Sequence, residues 1–149
     1  MQWKQDNYRI STEKRELNID LIHQYLSHSY WAEGIKKDLI IKSISGSLCF
    51  GLYDKSRQIG FARVVTDKAT FAHLMDVFVI DGYQAKGLGK WLLQCICECD
   101  DLQGLRRFTL GTHDAHGFYE QFGFRRISSS EKGMEIVVKS PYLEAEAAS

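Results

Sequence analysis

FAHLMDVFVIDGYQAKGLGKWLLQCICE, residues 71–98, is the stretch that decides the fold. Its first ten residues, 71–80, are apolar, aromatic and β-branched at the density of a strand, and they end in a turn at Asp81-Gly82. From Gly87 onward, Leu88, Leu92, Cys95, Ile96 and Cys99 recur at helical intervals. Between strand and helix lies Gln84-Ala85-Lys86-Gly87-Leu88-Gly89-Lys90, where backbone N–H groups and the positive end of the helix make an anion site. Glycines also serve ordinary tight turns, so the residues around them must discriminate.

Two nucleotide-binding patterns fit poorly. A P-loop needs Lys and then Ser or Thr after its last glycine, but Gly87 is followed by Leu88-Gly89, and the metal-binding hydroxyl is missing. A dinucleotide fingerprint needs a glycine three residues after Gly89, where Leu92 stands. The strands ahead of the turn also read as a hairpin and not as repeated βαβ units: residues 48–53 and 58–66 are β-rich and joined by Asp54-Lys55-Ser56.

Working outward, residues 8–10 predict a short strand. Ile22, Tyr25, Leu26 and Ser29 share one helical face with Asn18 or Asp20 as cap, and Ile35, Leu39 and Ile40 predict a second short helix after Gly34. Tyr30 and Trp31 fall in the connection. Downstream, residues 108–111 predict a strand and 117–121 a short helix. Residues 124–127 and 134–138 predict a closing strand pair around the turn Glu131-Lys132-Gly133. Residues 1–139 therefore read as one domain, and 140–149, small, acidic and aperiodic, as a frayed tail.

Composition narrows the partners. Of 149 residues, 44% are apolar and 26% charged, the balance of a globular chain. Lys plus Arg equals Asp plus Glu at 19 each, so net charge gives no reason to expect nucleic acid or membrane as partner. The apolar runs are far below the ~20 residues of a membrane helix. The start, MQWKQDNYRI, lacks the apolar core of a signal peptide, and the expected location is cytoplasmic. Cys49, Cys95, Cys97 and Cys99 form no disulfide framework, and neither they nor His113 and His116 have the spacing of a metal site, so no metal is expected.

The turn resembles the pyrophosphate-binding motif of the GNAT acetyltransferases, Q/R-x-x-G-x-G/A, matched by Gln84-x-x-Gly87-x-Gly89 after a strand. A second signature of that family, a short helix ending in an aromatic-Gly-Phe corner, is matched by Ala115-His116-Gly117-Phe118-Tyr119-Glu120-Gln121-Phe122-Gly123-Phe124. With the order of elements, the resemblance covers residues 7–139. It implies an α/β fold with a splayed, mostly antiparallel mixed sheet flanked by helices. It further implies an N-acetyltransferase that uses acetyl-coenzyme A, and it allows a homodimer.

The same resemblance implies roles. Backbone groups of Phe78, Val79 and Ile80 would pair with the pantetheine arm, and Gln84, Ala85, Lys86, Gly87, Leu88, Gly89 and Lys90 would hold the pyrophosphate. Tyr119 would protonate the leaving thiolate. Many members carry Asn seven residues before that tyrosine; here Thr112 stands there, and Asp114 is the candidate to replace it. His73 and Asp76 are candidates for the base, on opposite faces of the strand unless a bulge intervenes. Tyr30 and Trp31 would wall the acceptor site, and Arg63 would recognise an anionic group of the acceptor. The competing reading is a binding module that senses acyl-coenzyme A without turnover. The acceptor amine itself is left open.

Overall fold

A computed structural model describes residues 1–139 and 141–143. Its sheet runs in chain order: β1 (Gln2–Gln5), β2 (Tyr8–Ser11), β3 (Leu48–Asp54), β4 (Arg57–Thr66), β5 (Phe71–Val79) and β6 (Arg107–Leu110). Neighbours pair antiparallel as far as β5, which pairs with β6 in parallel. The parallel pair follows from the chain path, because a helix and not a hairpin connects β5 to β6.

Alternation along the strands separates two cores. Phe50, Leu52, Ala62, Val64 and Leu74 point toward α3 (Leu88–Glu98), which buries Leu88, Leu92, Leu93 and Ile96 against them. Cys49, Phe61 and Phe78 point the other way, where α1 (Ile19–Ser27) supplies Ile22 and Leu26 and α2 (Lys37–Ser45) supplies Ile40 and Ile44. Each fully buried Leu or Ile contributes about 1.5–3 kcal/mol of apolar transfer energy. Of the two cap candidates, Asn18 caps α1, accepting from the Leu21 N–H at 3.1 Å. Asp20 instead pairs with Lys37 at 2.6 Å, tying α1 to α2.

Within β5 the alternation changes phase once. Ala72 and Leu74 belong to the α3 side, and so do Val77 and Val79, while Phe78 belongs to the other. The extra residue is accommodated at Asp76, whose φ is 55°, and the β4–β5 register shifts between Phe61 and Arg63. This is a β-bulge, at a residue type that tolerates the left-handed region. It brings His73 and Asp76, which plain alternation would separate, to the same face.

The structure departs from the sequence reading in three places. The sheet starts earlier than residue 8: Gln5 pairs with Tyr8 across a two-residue turn at Asp6-Asn7, and Trp3 packs on Phe50 at 6.0 Å. The expected closing pair, 124–127 with 134–138, does not form. Its turn does, with the Gly133 N–H donating to the Ser130 carbonyl at 3.1 Å, but neither flanking run is a strand and Ile136 is fully exposed. A β-branched run is a strand only against a partner, and a lone two-stranded hairpin is marginal in water. Finally, residues 141–143 of the expected tail dock as a turn, with Tyr142 packed on the α1–α2 core. Residues 140 and 144–149 lie outside the described residues. No helix among the described residues is long and apolar enough to cross a membrane.

Candidate active site

β6 covers only part of β5. It pairs with residues 71–74, so residues 75–79 are bonded to β4 on one side and, among the described residues, have no strand on the other. An opening beside this strand is what the family resemblance implied. The open edge leads into the glycine-rich turn, where the Gln84 amide donates to the Val79 carbonyl at 2.8 Å and closes the turn against the strand. Ala85 (φ 61°) and Gly87 (φ 76°) are left-handed, and Gly87 is the cap residue of α3. Backbone turned in this way concentrates N–H groups, and the first N–H groups of a helix have no intrahelical acceptor.

Gly89 is informative because the protein itself has no need of it. It lies in the first turn of α3, where glycine costs about 1 kcal/mol relative to alanine. A Cβ there would meet only the edge of the Phe118 ring, at 3.9 Å. The fold would accept a side chain, so the bare backbone keeps a surface open at the helix start. Lys86 and Lys90 are exposed beside it and form no ion pair among the described residues.

The bulge carries a second cluster. Asp76 accepts from Arg63 Nε at 2.8 Å and from Trp31 Nε1 at 2.9 Å. Both partners of the ion pair are largely buried. Arg63 also donates to Ser47 Oγ at 3.0 Å, and its remaining nitrogen lies 3.4 Å from the Met75 sulfur. Its guanidinium is thus engaged inside the protein. Three residues that the sequence suggested for separate tasks, Trp31, Arg63 and Asp76, form one unit that ties the α1–α2 connection to the bulge.

His73 stands on the same face, with Nδ1 2.7 Å from Thr109 Oγ1 on β6. Burial, and then the nearby Arg63 charge, hold its pKa below the usual 6.5, so the ring is neutral at physiological pH. Tyr119 lies on α4 (His116–Glu120), packed between Phe118 and Phe124. Burial raises its phenol above the ordinary value near 10, and neighbouring Tyr30 adds to the shift, so the hydroxyl keeps its proton. Tyr30 in turn packs on His113 at 4.5 Å, joining the α1–α2 connection to the β6–α4 loop. Thr112 accepts from the Ala115 N–H at 3.1 Å, which secures the start of α4 and leaves Asp114 exposed beside it.

Residues 45–126 match the family described as Acetyltransferase (GNAT) domain. A Gibberella zeae protein named as an acetyltransferase is 32% identical over 162 aligned positions, spanning 91% of this chain and 90% of its own length. The chain belongs to the GNAT acetyltransferases. A crystal structure of a Xanthomonas campestris protein assigned to the GNAT family is 43% identical, with a TM-score of 0.89 over 91% of this chain and 96% of its own. The chloroplastic GCN5-related N-acetyltransferase 1 of Arabidopsis thaliana is 27% identical over 154 positions, 93% of this chain and 78% of that protein.

The family match takes in the open edge of β5, the turn, α3 and α4. It leaves out α1 and the 28–36 connection, where Tyr30 and Trp31 lie. The GNAT signatures found in the sequence therefore belong to one side of the site. Ser47, Met75, Thr109 and His113, which contact the candidate residues, carry no sequence signal of their own. Their relevance comes from pairings across strands and loops.

Proposed function

We propose that the protein transfers the acetyl group of acetyl-coenzyme A to an amine by direct attack in a ternary complex. The observation that carries this reading is the open stretch of β5, residues 75–79, leading into a turn whose glycines leave the start of α3 bare. As co-substrate, acetyl-coenzyme A supplies the activated thioester. The strand-free edge of β5 suits the amides of its arm, with the Val79 carbonyl already held by Gln84 and the Ile80 N–H and carbonyl by Ile59 and Tyr83. The N–H groups of residues 84–90, with Lys86 and Lys90, suit its diphosphate. Thr112 Oγ1 accepts from the Ala115 N–H, and exposed Asp114 is the candidate for the neighbouring contact.

An amine attacks only when neutral, and the sulfur leaves more readily with a proton. His73 is the better proton acceptor, being unprotonated at neutral pH, whereas both oxygens of Asp76 are already bonded to Arg63 and Trp31. Tyr119, which retains its proton, is the donor to sulfur. As the N–C bond forms and the C–S bond breaks, the amine proton passes to His73 and the phenolic proton to the thiol. Solvent then returns a proton from His73 to Tyr119. Tyr30 and Trp31 wall the acceptor side. Arg63 acts through Asp76, holding the wall in place, and not on an anionic group of the acceptor.

Calorimetric titration with acetyl-coenzyme A tests the reading without knowledge of the acceptor. Binding is expected in the wild type and its loss in Gly89→Glu, where bulk and a like charge would meet the diphosphate. Thiol release with a panel of amines then reports transfer. Failure of folded wild type to bind overturns the proposal, and binding without turnover of any amine makes the chain a sensor of acyl-coenzyme A.

A further inference from the structure

The glycine-rich turn has a shape that needs support. Gly82, Ala85 and Gly87 all have positive φ, and Ala85 carries a Cβ that disfavours it. Behind them the turn is bonded to the strand end by the Gln84 amide on the Val79 carbonyl and by the Tyr83 N–H on the Ile80 carbonyl, at 3.2 Å. Of residues 81–87, all but Tyr83 are exposed. Tyr83 is therefore the side chain through which the turn rests on the body of the protein. Its ring packs on the α3-side core, edge-on to Tyr8 at 6.5 Å, with the Arg57 guanidinium 5.7 Å from its centroid. Its hydroxyl donates to Asp54 Oδ2 at 2.7 Å. Tyr8 pairs in register with Asp54 across β2 and β3, and Asp54 with Arg57 across β3 and β4. Directly opposed antiparallel residues share a face, so one row at the ends of three strands receives one side chain from the turn.

We infer that Tyr83 is a positioning residue for the coenzyme, and that its hydroxyl, anchored on Asp54, fixes the turn in its anion-binding shape before any ligand arrives. A turn ordered in advance loses less entropy on binding, so the anchor tightens affinity without touching the ligand. Asp54 has the same sign of charge as a diphosphate and acts only through the phenol. The bond to Asp54 raises the phenol above its ordinary value near 10, so the donating proton stays on the tyrosine. The identity of the ligand rests on the acetyl-transfer reading. The anchor itself is a property of the free chain.

Two readouts on the full chain separate anchor from ligand: the calorimetric Kd for acetyl-coenzyme A, and backbone NMR order parameters of residues 82–89 without ligand. Tyr83→Phe should weaken Kd roughly three- to tenfold, the worth of one hydrogen bond, and lower the order parameters toward the flexible range below about 0.6. Asp54→Ala should do the same, and the two substitutions together should do no more than either alone. Asp54→Asn, equally uncharged but with an acceptor oxygen, should restore both readouts. A residue that only stabilises the fold would move the melting temperature and neither readout. Unchanged order parameters or an unchanged Kd in folded Tyr83→Phe, or additive losses in the double variant, overturn the inference. If the wild type does not bind acetyl-coenzyme A, the transfer reading fails and the order parameters alone decide whether Tyr83 holds the turn.

Discussion

At the residue scale, Asp76 combines three constraints: a left-handed backbone, a buried ion pair and a bond to an indole. A buried pair need not stabilise a fold more than apolar packing would, but removing one partner leaves a charge without compensation. Arg63→Met should therefore cost about 3 kcal/mol, because the Asp76 carboxylate stays behind in a largely buried place. Adding Asp76→Asn should recover part of that loss. Asparagine tolerates the left-handed region, and its side-chain oxygen still accepts from Trp31 while no charge is stranded. Urea unfolding of the two variants gives the ordering, and a double variant less stable than Arg63→Met would contradict it. The consequence for function is geometric. The same three residues that hold the bulge also hold the aromatic wall, so a slack bulge would be a slack acceptor site.

At the scale of elements, the connection from β4 to β5 sets how the central strand begins. The Asp67 carboxylate accepts from the N–H groups of Ala69 (2.9 Å), Thr70 (2.7 Å) and Phe71 (3.1 Å) and from the Thr70 hydroxyl (2.7 Å). These bonds, led by the one to the Thr70 side chain, hold its pKa far below the ordinary carboxylate value near 4. A carboxyl depressed in the folded state contributes stability that is present above its unfolded pKa and lost as pH falls through the folded one. Asp67→Ala should lower the melting temperature by a few degrees at pH 7, and its gap to wild type should narrow steadily from about pH 4 downward. A gap that is constant with pH would assign the loss to something other than the ionised loop. The strand–turn–helix unit of residues 71–98 was legible because apolar period and glycine placement are local signals. The bulge was not, since nothing at Asp76 marks it until β4 imposes a register. The run 134–138 reads as a strand for the same local reasons as β5, yet strand formation also needs a free edge in reach. Residues 141–143 looked like tail because their partner, Gly34, is more than a hundred residues away.

For the whole molecule, the surface combines balanced charge with an exposed apolar run. Formal charge is zero at pH 7, so no net repulsion keeps copies apart. Ile127, Met134, Ile136, Val137 and Val138 are all more than half exposed, and the last three are consecutive. How charge responds to pH is asymmetric. Toward acid, His73 charges late, because burial and the Arg63 charge hold its pKa down. Toward alkali, burial pushes the Cys49 thiol up to about 11 and Cys95 to about 12, so neither charges below pH 9. Solubility should therefore be low near neutrality, where the formal charge is zero, and rise toward acid as the net charge turns positive. Ile136→Lys should raise solubility at neutrality, since it replaces a fully exposed apolar side chain and adds one positive charge. Light scattering across the pH series reads both effects. A symmetric rise on the two sides of neutrality would mean that thiols or phenols ionise earlier than their burial allows, and unchanged solubility of Ile136→Lys at neutrality would mean that the 134–138 run is covered in solution.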